Sequence, residues 1–269
     1  MKNLRLRRAI KEYIGNNEFK LSSISEKRSE KNGAFLVITK NNRYKANIFE
    51  DKEELKNFLN LVPYINEAPR ILYHKRNIVL TQWVEGEVIE ANNLTSADLK
   101  EIAKLQAKIH SIPIRYNKKE VIKRFKKKIN LYIYKLSKNS DLNEEEILLI
   151  KRKFNKCFPI NPRISIIHKD WIAVNLLKTK LGWCSIDNEL VEVSLTGFDL
   201  GKPLNSICKT DNQRKEYLKA YNKVLNNGFY LKDRDFYQLT YLIKSLYSRL
   251  NHKKLPTDII YQKIVELIK

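Results

Sequence analysis

Cysteine is scarce in this chain of 269 residues: Cys157, Cys184 and Cys208 stand far apart and form no C-x-x-C pair. An odd number at such spacing makes neither a disulfide framework nor a zinc site, and it suits a reducing cytosol. Histidine is scarce too, and His74, His110, His168 and His252 make no metal-ligand cluster along the sequence. No apolar run approaches the roughly 20 residues that a membrane span needs. Met1 to Ile14 is basic, without a continuous apolar core or a small-residue cleavage site. It reads as a short opening helix with Leu4, Leu6, Ile10 and Ile14 turned inward, not as a secretory signal. Repeats, low-complexity tracts and Pro/Gly/Ser linkers are missing, which leaves one large domain or two lobes sharing a cleft.

Acidic residues are also in deficit. Lys and Arg number 52 against 30 Asp and Glu, for a net charge of +22. The excess is mostly lysine spread through every segment, as on a solvated basic surface; a nucleic-acid face would concentrate it. One concentration exists, Lys118 to Lys128, backed by Val121, Ile122, Phe125 and Ile129 at helical spacing. It reads either as an amphipathic surface helix or as a basic rim for an anionic acceptor or a phospholipid surface.

What is there is patterned. Ala34–Thr39 is a β-rich run, Asn41-Asn42 a turn signal, and Arg43–Phe49 alternates. Asp51–Val62 reads as a helix, with Leu55, Phe58, Leu59 and Val62 on one face. Arg70–Tyr73 and Asn77–Thr81 read as strands, giving an order β-β-β-α-β-β. After Gly86 the pattern turns helical: a helix capped by Thr95 or Ser96 and running to His110, then Lys119–Leu136, Asn143–Phe158, Asn212–Leu225, Asp233–Leu250 and Thr257–Ile268. Between them, Ile164–Leu204 has strand-turn-strand chemistry. The fold class is therefore α+β and bilobal, with a small β-rich N-lobe over residues 1–84 and a larger, mainly helical C-lobe over 85–269.

The chemistry sits in Ile166–Leu177, which reads H-x-D-x-x-x-x-N between two apolar runs, followed by Trp183–Asp187, another apolar run ending in aspartate. Phosphoryl transfer needs such a set. One carboxylate takes or orients the proton of the attacking hydroxyl; an amide oxygen and a second carboxylate hold Mg²⁺ on the ATP phosphates.

The sequence resembles the aminoglycoside phosphotransferase and choline kinase family, of protein-kinase-like fold. Leu80–Gly86 resembles its hinge, Ile102–His110 its helix ending in histidine, and Ile186–Glu189 its I-D-x-E motif. Phe198–Gly201 resembles its D-L-A-like turn, and Tyr217–Tyr221 its late helix. The resemblance implies an ATP-dependent kinase with an alcohol acceptor. Asp170 is then the catalytic base, Asn175 and Asp187 are Mg²⁺ ligands, and Glu189 is a second-metal or supporting group. The backbones of Gln82 and Val84 would hold the adenine edge. Asp199 and His168 would brace the loop.

Three positions depart from the family pattern. Lys169 stands where glycine is usual. Ser25–Asn32, the phosphate-loop position, has no glycine. Asn47 aligns with the strand-three lysine; Lys45, two residues earlier, shares its face and is expected to take that role, with Glu54 or Glu53 as helix partner. Lys27 and Lys31 are the fallback phosphate contacts. Trp171 is either a stacking surface for the acceptor or core.

The expected acceptor is a small hydroxyl compound: a sugar, amino sugar or amino alcohol. Lysine-rich surroundings suit an acidic or phosphorylated sugar better than a polycationic drug, even with Glu216, Asp233 and Asp235 present. Asp187 is followed too soon by Phe198-Asp199 for an activation loop, which disfavours protein substrates. The alternatives are a surface-glycolipid sugar kinase at the inner membrane face and a non-catalytic binding module. A cytoplasmic location fits each of them, peripheral at that face in the glycolipid case.

Overall fold

Helix α1 (Lys2–Ile14) buries Leu6, Ala9, Ile10 and Ile14, one stripe at helical spacing. Leu4, expected inward, is 68% exposed. Gly15 ends the helix at φ +69°, a left-handed turn that glycine adopts without strain, and its amide bonds the Lys11 carbonyl at 2.9 Å. The structure is a computed structural model describing residues 2–15, 17–24, 33–225, 229–252 and 256–268. Ser25–Asn32, with Lys27 and Lys31, lie outside the described residues. The chain divides into two compact units: Met1–Glu90 with Ala173–Glu192, and Ala91–Ile172 with Val193–Lys269.

In the first unit β1 (Phe19–Ser23), β2 (Gly33–Thr39), β3 (Arg43–Ile48), β4 (Ile71–Lys75) and β5 (Ile78–Gln82) form an antiparallel sheet of order β1-β2-β3-β5-β4. Val37, Ala46, Ile78 and Leu80 meet the apolar stripe of α1, which closes one face of the sheet. Helix α2 (Lys52–Leu61) follows β3, capped by Asp51, which accepts the amides of Glu53 and Glu54. A second, three-stranded sheet joins β6 (Glu87–Val88), β8 (Leu176–Thr179) and β9 (Gly182–Ser185), in the order β6-β8-β9.

The second unit is helical: α3 (Ser96–Ser111), α4 (Lys118–Asn139), α5 (Glu144–Lys156), α6 (Thr196–Ser206), α7 (Asp211–Leu225), α8 (Phe229–Lys232), α9 (Arg234–His252) and α10 (Asp258–Ile268). Between α5 and α6 the strands β7 (Ile164–Ile167) and β10 (Glu192–Leu195) pair. Thr95 caps α3 in a reciprocal capping box with Asp98. Helix α9 packs against α4, α5, α6, α8 and α10. Around it Phe125, Phe154, Phe158, Phe198 and Phe236 interlock as offset and edge-to-face pairs.

The strand-turn-strand reading of Ile164–Leu204 holds to Leu195 and then fails. Phe198–Gly201 is not a turn; it lies inside α6. Two glycines and Pro203 argue against a helix locally, but packing overrides them. A Cβ on Gly197 would stand 2.4 Å from the Tyr237 ring, and one on Gly201 2.7 Å from Tyr241 Cβ. The glycines are what let α6 approach α9 so closely. Along α4 the buried residues are Val121, Phe125, Ile129, Ile133 and Leu136. Lys123, Arg124, Lys126 and Lys127 are exposed, the arrangement of an amphipathic surface helix. Among the described residues, no helix is long and apolar enough to cross a membrane.

Candidate active site

In the first unit the β8–β9 hairpin sets the geometry. Its register pairs Leu176 with Ser185 and Thr179 with Gly182. Asn175 therefore lies just before the first strand and Asp187 just beyond the second, at the same open end. The Ile186 amide bonds the Asn175 carbonyl at 2.9 Å and locks that end. Asn175 is buried. The Ser185 hydroxyl donates to Asn188 Oδ1 at 3.2 Å, and Asn188 Nδ2 returns a bond to the Ser185 carbonyl at 2.9 Å. Asp187 is gripped between them at φ +55°, left-handed for a residue with a side chain.

Lys45 and Asn47 point from one face of β3, as strand alternation requires. The Lys45 ammonium bonds Asp187 and, at 2.8 Å, Glu189. Asn47 Nδ2 donates to the same Glu189 oxygen at 2.6 Å. Burial opposes the charge on Lys45, but Glu189 and Asp187 outweigh it and raise its pKa. Lysine was expected to pair with Glu54 or Glu53; the ion pairs seen are with Asp187 and Glu189. Glu54 sits in the first turn of α2, its amide on the Asp51 cap. One ammonium between two carboxylates leaves the group a net negative charge. Those hard oxygen donors, with the nearby amide of Asn175, fit Mg²⁺. Among the described residues no group of three His, Cys, Asp or Glu side chains forms a metal cage, and Mg²⁺ needs none, since phosphates and water complete its shell. At the hinge the Gln82 amide is taken by the Arg70 carbonyl, at 2.9 Å.

The second unit holds Asp170 and the machinery that shapes its loop. Asp199, on α6, is buried and accepts the amides of His168 (3.1 Å) and Lys169 (2.7 Å). Gln106 Nε2 and His110 Nε2 each reach the same carboxylate at 3.2 Å. With Nε2–H given to Asp199, His110 Nδ1 accepts the Tyr221 hydroxyl at 2.7 Å. Tyr217 donates to Gln106 Oε1 at 2.8 Å. Gln106/His110 on α3 and Tyr217/Tyr221 on α7 are both i, i+4 pairs, so two helix faces meet and hold one carboxylate. Burial alone would raise the Asp199 pKa; the hydrogen bond from His110, with the fields of His110 and His168 and the His168 amide, overcomes it and holds it at about 2.

His168 is buried, and its Nδ1 accepts the Asp170 amide at 3.3 Å, a bracing contact. Lys169 has φ +66°, which accounts for glycine being usual there. Trp171 is fully buried and edge-on to His168, so it is core and offers no stacking surface. Lys202 on α6 forms a 2.8 Å ion pair with Asp170. Lys244 on α9 donates to the Lys169 carbonyl at 2.9 Å. Burial pulls the Asp170 pKa upward, yet Lys202, then Lys244 and His168, bring it below the ordinary value. Sequence reasoning missed Gln106, Lys202 and Lys244. Lys202 had a signal, three residues after Asp199 in a recognised motif; Lys244 had none.

A β-rich unit with a five-stranded sheet, a three-stranded sheet and the helices α1 and α2, and a helical unit carrying the His-x-Asp loop, define a protein-kinase-like fold. Residues 27–237 match the phosphotransferase enzyme family, and the chain belongs to it. A choline kinase from Cryptosporidium parvum Iowa II is 17% identical with a TM-score of 0.72, over 100% of this chain and 94% of its own. ADP-bound aminoglycoside phosphotransferase APH(2'')-Ib is 16% identical with a TM-score of 0.66, over 98% and 96%. A LicA homolog from Metamycoplasma hominis is 25% identical over 163 residues, 60% of this chain. The match spans 63% of that relative's length.

Proposed function

We propose that the protein is an ATP-dependent kinase that moves the γ-phosphoryl group to a hydroxyl of a small molecule. The observation that carries this reading is the cluster at the open end of the β8–β9 hairpin, where Lys45 bridges Asp187 and Glu189 beside Asn175. Asn175 and Asp187 would hold Mg²⁺, which when bound neutralises phosphate charge. Lys45 turns from its carboxylates to the α- and β-phosphates, and Glu54 at the start of α2 is its candidate helix partner. At the hinge the Gln82 carbonyl and the Val84 amide meet the adenine edge, since the Gln82 amide is already bonded. Asp170 takes the proton of the acceptor hydroxyl as the bond from its oxygen to γ-phosphorus forms and the bond from γ-phosphorus to the ADP oxygen breaks. A low pKa suits Asp170: in a loose transition state it orients the hydroxyl while the proton leaves late.

Asp187→Ala tests the reading. Turnover is expected to fall at least about 100-fold, and Mg²⁺ to lose its effect on nucleotide affinity, with an unchanged circular dichroism spectrum. Wild-type turnover in that variant would remove Asp187 from the metal site.

A further inference from the structure

The surroundings of Asp170 are cationic. Lys202 pairs with the carboxylate directly, and Lys244 is bonded to the carbonyl of the preceding residue, Lys169. Lys169 carries a third ammonium, and Lys128 on α4 adds its field to Lys244. These four lysines come from three helices and the loop itself. The buried carboxylate that holds this loop, Asp199 on α6, is not available to a ligand, because it is committed to two amides, Gln106 and His110. Glu216, an acidic candidate for a cationic acceptor, is engaged elsewhere, by the Ser96 hydroxyl at 2.5 Å and Lys100 at 3.7 Å. The charged side chains that act on Asp170 are cationic, and they would repel a cation brought to it.

We propose that the acceptor is a small alcohol bearing an anionic group, a phosphomonoester or a carboxylate, which Lys202 and Lys244 bind so that its hydroxyl reaches Asp170. The proposal rests on the reading of Asp170 as the base. In the free protein Lys202 is held by Asp170; an incoming anion takes Lys202 and frees the carboxylate for the hydroxyl. Lys244 supports the same chemistry. Burial first, then the charges of Lys202 and Lys169, lowers its pKa to about 7, so it gains a proton when an anion binds. Lys202 and Lys244 are thus specificity determinants for the acceptor. The transfer remains balanced as above: hydroxyl proton to Asp170, phosphoryl to the acceptor oxygen, ADP released.

The test uses the full chain with Mg-ATP and five acceptors: choline, ethanolamine, glycerol, glycerate and glycerol 3-phosphate. ADP formation gives the rates, and calorimetry in ADP gives the affinities. One or both anionic alcohols are expected to exceed glycerol and both amino alcohols at least about tenfold in kcat/KM, and the ranking of glycerate against glycerol 3-phosphate tells carboxylate from phosphate. Lys202→Met and Lys244→Met should each raise KM for the preferred anion about tenfold while KM for ATP stays within about twofold, and Lys202→Arg should restore most of the loss. Choline or ethanolamine as best acceptor overturns the proposal. So does an equal loss with glycerol in both Met variants, or the absence of both turnover and heat of binding with either anion. Asp170→Asn separates the two layers. If it keeps turnover with the preferred acceptor, the base assignment fails; if it loses turnover while still binding the anion, that assignment stands and the lysines are judged on their own data.

Discussion

Asp170 and Lys169, neighbours in one loop, show how single residues carry opposite demands. Lys202 holds the Asp170 carboxyl below its usual pKa against the pull of burial. The acid limb of kcat/KM, which reports the free enzyme, should therefore lie below the ordinary aspartate value of about 4. Lys202→Met should shift that limb upward, and Asp170→Asn should abolish transfer while ATP affinity holds. Equal losses of affinity and single-turnover rate in Asp170→Asn would make Asp170 a structural residue. At Lys169 the positive φ costs roughly 1–2 kcal/mol in a residue with a Cβ. Glycine there should leave the melting temperature unchanged or raised, whereas Lys169→Val should lower stability by about 1–2 kcal/mol. A lower melting temperature for Lys169→Gly would show that side-chain contacts outweigh the strain.

At the scale of elements, α6 is the piece on which the Asp170 loop hangs, because it brings Asp199 to the His168 and Lys169 amides. Its fit depends on Gly197 and Gly201 facing α9. Gly197→Ala puts a methyl into the Tyr237 ring, so α6, which carries Asp199, and α9 must move apart to fit it. The expected cost is about 1–3 kcal/mol, as for overpacking elsewhere, read as a lower denaturation midpoint. Turnover per folded molecule should fall as well. A variant as stable and as active as the parent would show that α6 and α9 are free to separate. The sequence was legible here in part: Phe198–Gly201 is recognisable as a motif, but its helical state is set by contact with α9, to which local propensity is blind.

For the molecule as a whole, the H-x-D-x-x-x-x-N motif is shared between units: Asp170 belongs to the second, Asn175 and Asp187 to the first. The second unit has an acid-sensitive point. Asp199 titrates at about 2 in the folded state, below its unfolded value of about 3.9. A depressed carboxylate stabilises fully above the unfolded value and loses that contribution as pH falls through the folded one. Stability should then drop by on the order of 2 kcal/mol between about pH 4 and 2, and Asp199→Asn should flatten that part of the curve while lowering stability at neutral pH. A parallel acid profile in the variant would place the titrating group elsewhere.

The sequence by itself determined the α+β class, the order of most elements as far as Leu195, and the family, because periodicity and motif spacing are local properties. It also placed Lys45 and Asn47 on one face, through strand alternation. Only the tertiary structure decided that the partners of Lys45 are Asp187 and Glu189, that Trp171 is core, that Leu4 faces out, and that Lys202 and Lys244 converge on the Asp170 loop. Each of these depends on which distant segment packs alongside. Lys45 and Asp187 are 142 positions apart, and Lys244 and Lys169 are 75 apart, so no local pattern could have joined them.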